Sequence, residues 1–298
     1  MGGEVGRITR SRTSIIDYVS YLTGVAEDDL NEYGLQNFNG LKIALDCSNG
    51  AASITAPRIF MNLCDDCFFM ACHPNGTNIN EKCGSTHLEV LQDFVVRNGC
   101  DAGLAFDGDK LIAIFAKHMK SKGKLKNNAA VVTVMSNMGF FKFCEENDIH
   151  CEKTKVGDRY VLENMLENDY IIGGEQSGHI IFREFATTGD GELSALKLLC
   201  VMKETGKKLS ELASEMEVFP QVLVNVRVSD FGKARFPRDK EIKNAIEAAE
   251  KELGNEGRVL VRVSGTEPLV RVMLEGKDEE KINVLAQEIA QVVRERLL

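Results

Sequence analysis

Two short stretches hold most of the side chains that could do chemistry. Residues 173–179 read Gly-Gly-Glu-Gln-Ser-Gly-His. Glu175, Gln176, Ser177 and His179 set a carboxylate, an amide, a hydroxyl and an imidazole side by side, a set able to read several hydroxyls of a sugar. The plainer reading of the same residues is a solvated hairpin tip. Residues 262–271 read Arg-Val-Ser-Gly-Thr-Glu-Pro-Leu-Val-Arg. Arg262 and Arg271 can each make bidentate charged hydrogen bonds to phosphate. Ser264, Thr266 and the Gly265 amide can complete a cradle for a dianion. The plainer reading is a polar turn with surface arginines.

Three further groups have weaker signals. Asp107 and Asp109 flank Gly108 and could converge on a hard cation such as magnesium, although Asp-Gly turns are common without a metal. Asp158 and Arg159 follow Gly157 and could position a hydroxyl or a phosphate; capping the next helix is the simpler role for Asp158. Cys64-Asp-Asp-Cys67 is a C-x-x-C with Cys72 and His73 close by, but a zinc site wants a second pair at suitable spacing and none is evident.

These residues need elements to hold them. The apolar runs 170–172 and 180–182 bracket the first stretch, which reads as strand, Gly-bracketed turn, strand. Upstream, helical spacing over 11–35 is followed by strand 41–47, helix 56–63 and strand 67–71, the βαβ unit of a parallel sheet. A helix at 87–97 leads to strand 102–106, whose carboxyl end carries Asp107 and Asp109, where open α/β sheets place ligands. A second α/β stretch runs from 110 to 219, with helices expected at 111–119, 139–147, 161–167 and 210–217, the last capped by Ser210, and a polar turn at 187–192 that starts a further helix running through Met202. Its strands are expected at 131–135, 151–154 and in the hairpin. The last stretch, 220–298, alternates strands at 223–228, 258–263 and 269–275 with helices at 240–253 and 279–297, an α+β arrangement.

Composition sets limits. The 298 residues carry a net charge of −9, with Lys and Arg spread among acids, which argues against a nucleic-acid partner. No apolar run approaches the ~20 residues of a membrane span, and the first residues show no apolar signal core. The nine cysteines are odd in number in a chain that is not small, so reduced thiols in a cytoplasmic protein are expected rather than a disulfide framework.

Taken together, the residues resemble the α-D-phosphohexomutase family, in particular its hexosamine-phosphate branch. The matching stretches are Leu45-Asp46-Cys47-Ser48-Asn49-Gly50-Ala51, Asn78-Ile79-Asn80, Gly84-Ser85-Thr86-His87 and Leu104-Ala105-Phe106-Asp107-Gly108-Asp109. They continue with residues 132–137, Val156-Gly157-Asp158-Arg159-Tyr160-Val161, the 174–179 loop, Thr187-Thr188-Gly189-Asp190-Gly191 and the 264–271 loop. They run in family order from about residue 6 onward.

The resemblance implies an α/β fold: two consecutive three-layer α/β domains of phosphohexomutase type, at 1–109 and 110–219, followed by a smaller α+β phosphate-binding domain at 220–298. It implies interconversion of hexosamine 6-phosphate and 1-phosphate through a phosphoserine and a bisphosphate, with magnesium stabilising the transferred charge. Glu175 and Ser177 would hold sugar hydroxyls with His179 beside them, and Asp158 and Arg159 would join the substrate contacts. Arg262, Ser264, Gly265, Thr266 and Arg271 would hold the phosphate that is not reacting, and Asp107 and Asp109 would be magnesium ligands.

Two departures qualify this. The family's catalytic serine lies in a first domain, in a Ser-x-Ser-His-Asn-Pro-like loop that these residues do not contain, so the chain resembles the last three of four domains. The family's metal loop is Asp-Gly-Asp-x-Asp-Arg, a short hairpin and a second Asp-Gly-Asp, whereas Asp109 here runs directly into Lys110-Leu111-Ile112. Magnesium binding is therefore expected to be weak or lost. The expectation is a protein that binds phosphorylated hexosamine or hexose without running the mutase cycle alone. The alternatives are a non-catalytic phosphosugar-binding or regulatory protein, a half-enzyme completed in trans by a separate first-domain chain, and a deletion product with no selected function. Apolar surface that faced a first domain would favour self-association or such a partner.

Overall fold

The computed structural model describes residues 11, 13–85, 87–105, 108–265 and 267–298. Its elements open with α1 (Ser14–Glu32), β1 (Lys42–Asp46), α2 (Ala52–Leu63), β2 (Asp66–Met70), α3 (Glu89–Asn98) and β3 (Ala102–Leu104). Next come α4 (Gly108–Ser121), β4 (Ala129–Thr133), α5 (Met138–Glu146), β5 (His150–Thr154), α6 (Asp158–Glu167), β6 (Ile172–Gly174), β7 (Ile180–Phe182), α7 (Gly191–Thr205) and α8 (Leu209–Ala213). The chain closes with β8 (Gln221–Arg227), α9 (Asp230–Arg235), α10 (Lys240–Leu253), β9 (Gly257–Val263), β10 (Leu269–Gly276) and α11 (Glu279–Leu297). By contact density the chain divides into two units, one of residues up to Met135 with Asn147–Glu215, the other of Ser136–Glu146 with Met216–Leu298.

The first unit holds two sheets. In the first, β1 lies between β2 and β3 with all pairings parallel. Ile43, Ala44 and Leu45 on β1 are buried in succession, as a strand covered on both faces requires. In the second sheet the order is β5-β4-β6-β7, with β4 parallel to β5 and β6, and β7 antiparallel to β6. Every residue of β4 is buried. Helix α4 carries an unbroken buried run from Leu111 to Ala116, so this part of the helix is enclosed on all sides.

The second unit is an antiparallel sheet, β8-β10-β9, packed against α10 and α11. Val270, Val272 and Leu274 alternate along β10 onto one face and meet Ile282, Ile289 and Val293 of α11 in the core. Glu275 points to the other face and is fully buried there. Its carboxylate accepts the Met138 N–H at 2.8 Å and pairs with Arg258 Nε at 2.7 Å. Helix α5 thus joins the C-terminal residues although its sequence lies in the middle stretch. Asn137 makes this join specific, donating to Phe219 O and accepting from Phe219 N, both at 3.0 Å.

The α/β class expected from the sequence is the class observed, and several boundaries differ. Helix α6 begins at Asp158, not 161, with Gly157 as N-cap at φ 127°. Asp158 is therefore not the cap but the first helical residue, and its Oδ1 accepts the next N–H, of Arg159, at 2.7 Å. Helix α8 ends at Ala213 instead of 217, and Ser210 lies inside it. Lys208 is the N-cap, its own N–H bound by Glu211 Oε2 at 2.7 Å, so the Glu one turn on determines the start. Helix α9 was not expected, although Ser229 caps it by accepting Gly232 N–H at 3.0 Å. No helix among the described residues is long and apolar enough to cross a membrane.

Candidate functional site

The first unit assembles one loop from four separate segments. Residues 175–179 connect β6 to β7 as a tight turn in which Glu175 N–H reaches His179 O at 3.2 Å and Gly178 N–H reaches Glu175 O at 3.0 Å. Glycines make room for it. Gly108, the first residue of α4, donates its N–H to Gln176 O at 3.1 Å, and a Cβ there would sit 1.9 Å from Glu175 O. A Cβ on Gly189 would lie 2.9 Å from His179 Cα. Gly157, at the start of α6, donates to Glu175 Oε1 at 3.0 Å.

Glu175 is thus a positioned carboxylate. Oε1 is held by Gly157, and Oε2 lies 3.5 Å from His179 Nδ1. Ser177 and His179 are exposed at the tip. Gln176 Oε1 is buried with no hydrogen-bond partner among the described residues. Asp158 and Arg159 follow Gly157 directly, so the structure brings them to the same loop. Both are exposed. Arg159 Nε is engaged by Glu163 at 2.7 Å, which raises the guanidinium's pKa.

The candidate metal residues are only partly described. Asp107 lies outside the described residues, as does Thr266 of the phosphate stretch. Asp109 was expected in a loop beyond a strand. It lies instead in the first turn of α4 and is 4% exposed. Among the described residues no group of three or more His, Cys, Asp or Glu could hold a metal ion. One buried helical carboxylate does not make a magnesium site, so no chemical step is assigned to magnesium.

The second unit presents the β9–β10 hairpin. Arg271 pairs directly with Arg262 across the ladder, and Val270 with Val263. Ser264 N–H closes the hairpin on Leu269 O at 2.8 Å, and Ser264 Oγ, in a side chain 2% exposed, accepts Glu267 N–H at 3.2 Å. Gly265 is exposed beyond it. Glu267 Oε2 lies 2.6 Å from one terminal nitrogen of Arg271, while Arg271 Nε is buried without a partner among the described residues. No carboxylate among the described residues is within ion-pair distance of Arg262. Burial, then the charge of Arg271, lowers its pKa.

The sequence showed the hydroxyls and arginines but not the groups that hold them. Gly108, Gly157 and Gly189 stood in the recognised stretches with no sign of which carbonyl or carboxylate each would meet. Glu267 stood between the arginines and was not singled out.

Comparisons with known proteins agree on one family. The description "Phosphoglucomutase/phosphomannomutase, alpha/beta/alpha domain III" matches residues 107–219, and the corresponding C-terminal domain matches residues 223–292. The chain is 48% identical over 313 residues to the phosphoglucosamine mutase of Acetivibrio thermocellus, covering 99% of this chain and 68% of that protein. That alignment is longer than the 298 residues of the chain, so the relative carries residues inside the matched span that have no counterpart here. Among solved structures, N-acetylphosphoglucosamine mutase of Aspergillus fumigatus superposes with a TM-score of 0.75 at 18% identity, over 94% of this chain and 64% of that one. The same enzyme in complex with GlcNAc-6P and magnesium gives 0.72 at 16% identity, over 94% and 66%. At these identities the structures establish the fold.

Proposed function

We propose that this chain, which belongs to the phosphoglucosamine mutases of the phosphohexomutase family, binds a hexosamine phosphate through the 175–179 and 262–271 stretches. The observation that carries the reading is the Arg262–Arg271 pair: two arginines directly opposite on one ladder, one of them without a carboxylate among the described residues, beside the Ser264 turn. A phosphate dianion is the ligand that neutralises such a pair. Gly265 supplies an exposed backbone N–H, and Thr266 is assigned the remaining hydroxyl contact. In the sugar loop, Glu175 accepts hydrogen bonds from hydroxyls while Gly157 holds its other oxygen, Ser177 supplies a second contact, and His179 stands beside it. Asp158 and Arg159 stand at the edge of that loop.

In the family's reaction, magnesium stabilises the transferred phosphoryl charge. The assignment of Asp107 and Asp109 to that role is retained only as weak or lost binding. The 298 residues contain no Ser-x-Ser-His-Asn-Pro-like loop, so binding alone is assigned to them, and turnover requires a nucleophile from outside these residues. A purely regulatory phosphosugar binder is the alternative, and a half-enzyme completed by a separate chain is another. Addition of a separately produced first domain separates them: restored turnover favours the half-enzyme, and unchanged binding without turnover favours the regulator.

The test is calorimetric titration with glucosamine 6-phosphate, with and without magnesium. Saturable one-site binding is expected, reduced at least tenfold in Arg271→Ala, since a charged hydrogen bond is worth about 1.5–3 kcal/mol. Absence of binding at millimolar ligand, or equal binding by Arg271→Ala, overturns the reading.

A further inference from the structure

Four asparagines stand directly before glycine: Asn39, Asn49, Asn75 and Asn98. Glycine has no Cβ, so its nitrogen can come close to the amide carbon of the preceding side chain. From there the nitrogen can attack that carbon and close a five-membered succinimide ring. The four pairs are alike in sequence and differ in the fold.

Three of them are held. The Gly50 N–H, which would attack Asn49, donates to Cys47 O at 2.8 Å. The Asn49 side chain is fixed at both ends, accepting His73 N–H at 3.1 Å and donating to Asn78 O at 3.3 Å. Asn98 is the last residue of α3, and its side-chain nitrogen donates to Phe94 O at 2.8 Å. The Gly99 N–H beside it is engaged by Val96 O at 3.4 Å. Asn39 is half-buried, and its side-chain oxygen accepts Asp65 N–H at 3.2 Å. Its own N–H donates to Asn37 Oδ1 at 3.0 Å, and Lys203 binds the carbonyl of the peptide unit that carries the Gly40 nitrogen.

Asn75 differs in each respect. Asn75 and Gly76 are both exposed. Among the described residues neither the Gly76 N–H nor the Asn75 side-chain nitrogen has a hydrogen-bond partner, and there is open space on the Cβ side of Gly76. The Asn75 side-chain oxygen accepts three hydrogen bonds, from Thr77 N–H, the Thr77 hydroxyl and Asn78 N–H, each at 3.0 Å. Attack by the Gly76 nitrogen turns that oxygen into an oxyanion. Three donors are already in place around it, the arrangement that stabilises a tetrahedral intermediate.

We propose that Asn75 is a modification site: an asparagine that its own loop activates for spontaneous deamidation. The Gly76 nitrogen attacks the Asn75 side-chain carbon and gives its proton to water. The new C–N bond forms, and the bond from that carbon to the side-chain nitrogen breaks. That nitrogen takes up a proton and leaves as ammonia. Water then opens the succinimide at either carbonyl, giving aspartate or isoaspartate, and no electrons are exchanged with a further reactant. Each product places a negative charge in the loop. The isoaspartate also inserts a methylene into the main chain beside the Asn75 N–H, which now donates to Asn78 Oδ1 at 2.8 Å.

The test incubates the full chain in mildly alkaline buffer, and in parallel in concentrated urea, and maps peptides by mass spectrometry. Cleavage at Lys and Arg places the four asparagines in four peptides, Thr13–Lys42, Ile43–Arg58, Ile59–Lys82 and Asn98–Lys110. Deamidation adds about 1 Da, and fragmentation separates Asn75 from Asn62, Asn78 and Asn80 of the same peptide. In the folded chain Asn75 is expected to convert at least about tenfold faster than the other three, with isoaspartate among its products. In urea the four rates are expected to converge. Thr77→Val removes the hydroxyl donor and is expected to slow Asn75 about tenfold, the worth of one hydrogen bond. This variant separates activation from restraint, because bonds that only immobilised the side chain would speed conversion when lost. Faster conversion in Thr77→Val, another Asn–Gly pair converting first, a lead of Asn75 that persists in urea, or aspartate without isoaspartate overturns the proposal.

Discussion

Arg262 and Arg271 stand directly opposite each other on β9 and β10, and among the described residues only Arg271 has a carboxylate, Glu267, within reach. Like charges opposed on a sheet are unfavourable, so the hairpin holds a repulsion that an anion relieves. Glu267 competes with that anion for Arg271. Glu267→Gln is expected to tighten glucosamine 6-phosphate binding by up to roughly fivefold, since an exposed ion pair contributes about 0–1 kcal/mol. Calorimetry at fixed salt measures this. Weaker binding in the variant would mean that Glu267 assists the ligand instead of competing with it.

Gly108 carries the contact between α4 and the sugar loop. Gly108→Ala places a methyl 1.9 Å from Glu175 O, and the backbone must move. A loss of about 1–3 kcal/mol is expected in urea unfolding, together with weaker phosphosugar binding. Gly24, inside α1 with open space around it, is the control. Gly24→Ala should stabilise by about 0.5–1 kcal/mol and leave binding alone. Equal effects from the two substitutions would refute the packing argument.

Glu275 and Arg258 form the buried ion pair of the second unit. Arg258→Met leaves a fully buried carboxylate without its cation and is expected to cost about 3–5 kcal/mol. Adding Glu275→Leu should recover part of that, though Met138 N–H then loses its acceptor. A double variant no more stable than Arg258→Met would show that the Met138 bond matters more than the stranded charge. Chemical denaturation of the three proteins decides it.

Glu192 gives a pH-dependent prediction. Burial, with a smaller effect from Asp190, raises its pKa, while hydroxyls of Thr55 and Tyr18 oppose the rise. A carboxyl raised in the folded state contributes stability that is fully present below its unfolded pKa and lost as pH rises through the folded value. Glu192→Gln keeps an acceptor for the Thr55 hydroxyl, which now lies 2.5 Å from Glu192 Oε1. The variant should be more stable than the parent at pH 8, with the difference shrinking as pH falls toward the unfolded carboxylate range. Melting temperatures across that range test this, and a difference that grows on acidification would contradict it.

Local signals in the sequence were enough for the two long helices of the last stretch, though not for the short α9, which Ser229 caps. Helices α10 and α11 begin where expected because Asp239 and Asp278 accept N–H groups of their first turns. The expectation failed at Ser210 and Asp158, where a Glu one turn on and a positive-φ glycine set the helix starts. Both are short-range effects that a single preferred cap residue conceals. The sugar loop lay further from reach. Its shape depends on Gly108, Gly157 and Gly189, and nothing near those glycines in sequence names their partners. Placing α5 with the C-terminal residues required pairing Asn137 with Phe219, which only the folded chain reveals.

The placement of α5 also bears on synthesis. Met138–Glu146 leaves the ribosome well before the strand residues Arg258 and Glu275 that complete its unit. Until they arrive, Asn137 and Met138 lack their native hydrogen-bond partners, and Phe140 lacks its native cover. The first unit can close around the gap, because Asn147–Glu215 returns to it directly. Maturation of the C-terminal unit must instead capture a helix made much earlier. The closure entropy of that intervening segment grows only slowly with its length, but the waiting interval exposes an aromatic-rich helix, and a chain stalled between residues 146 and 216 is the one a chaperone should hold.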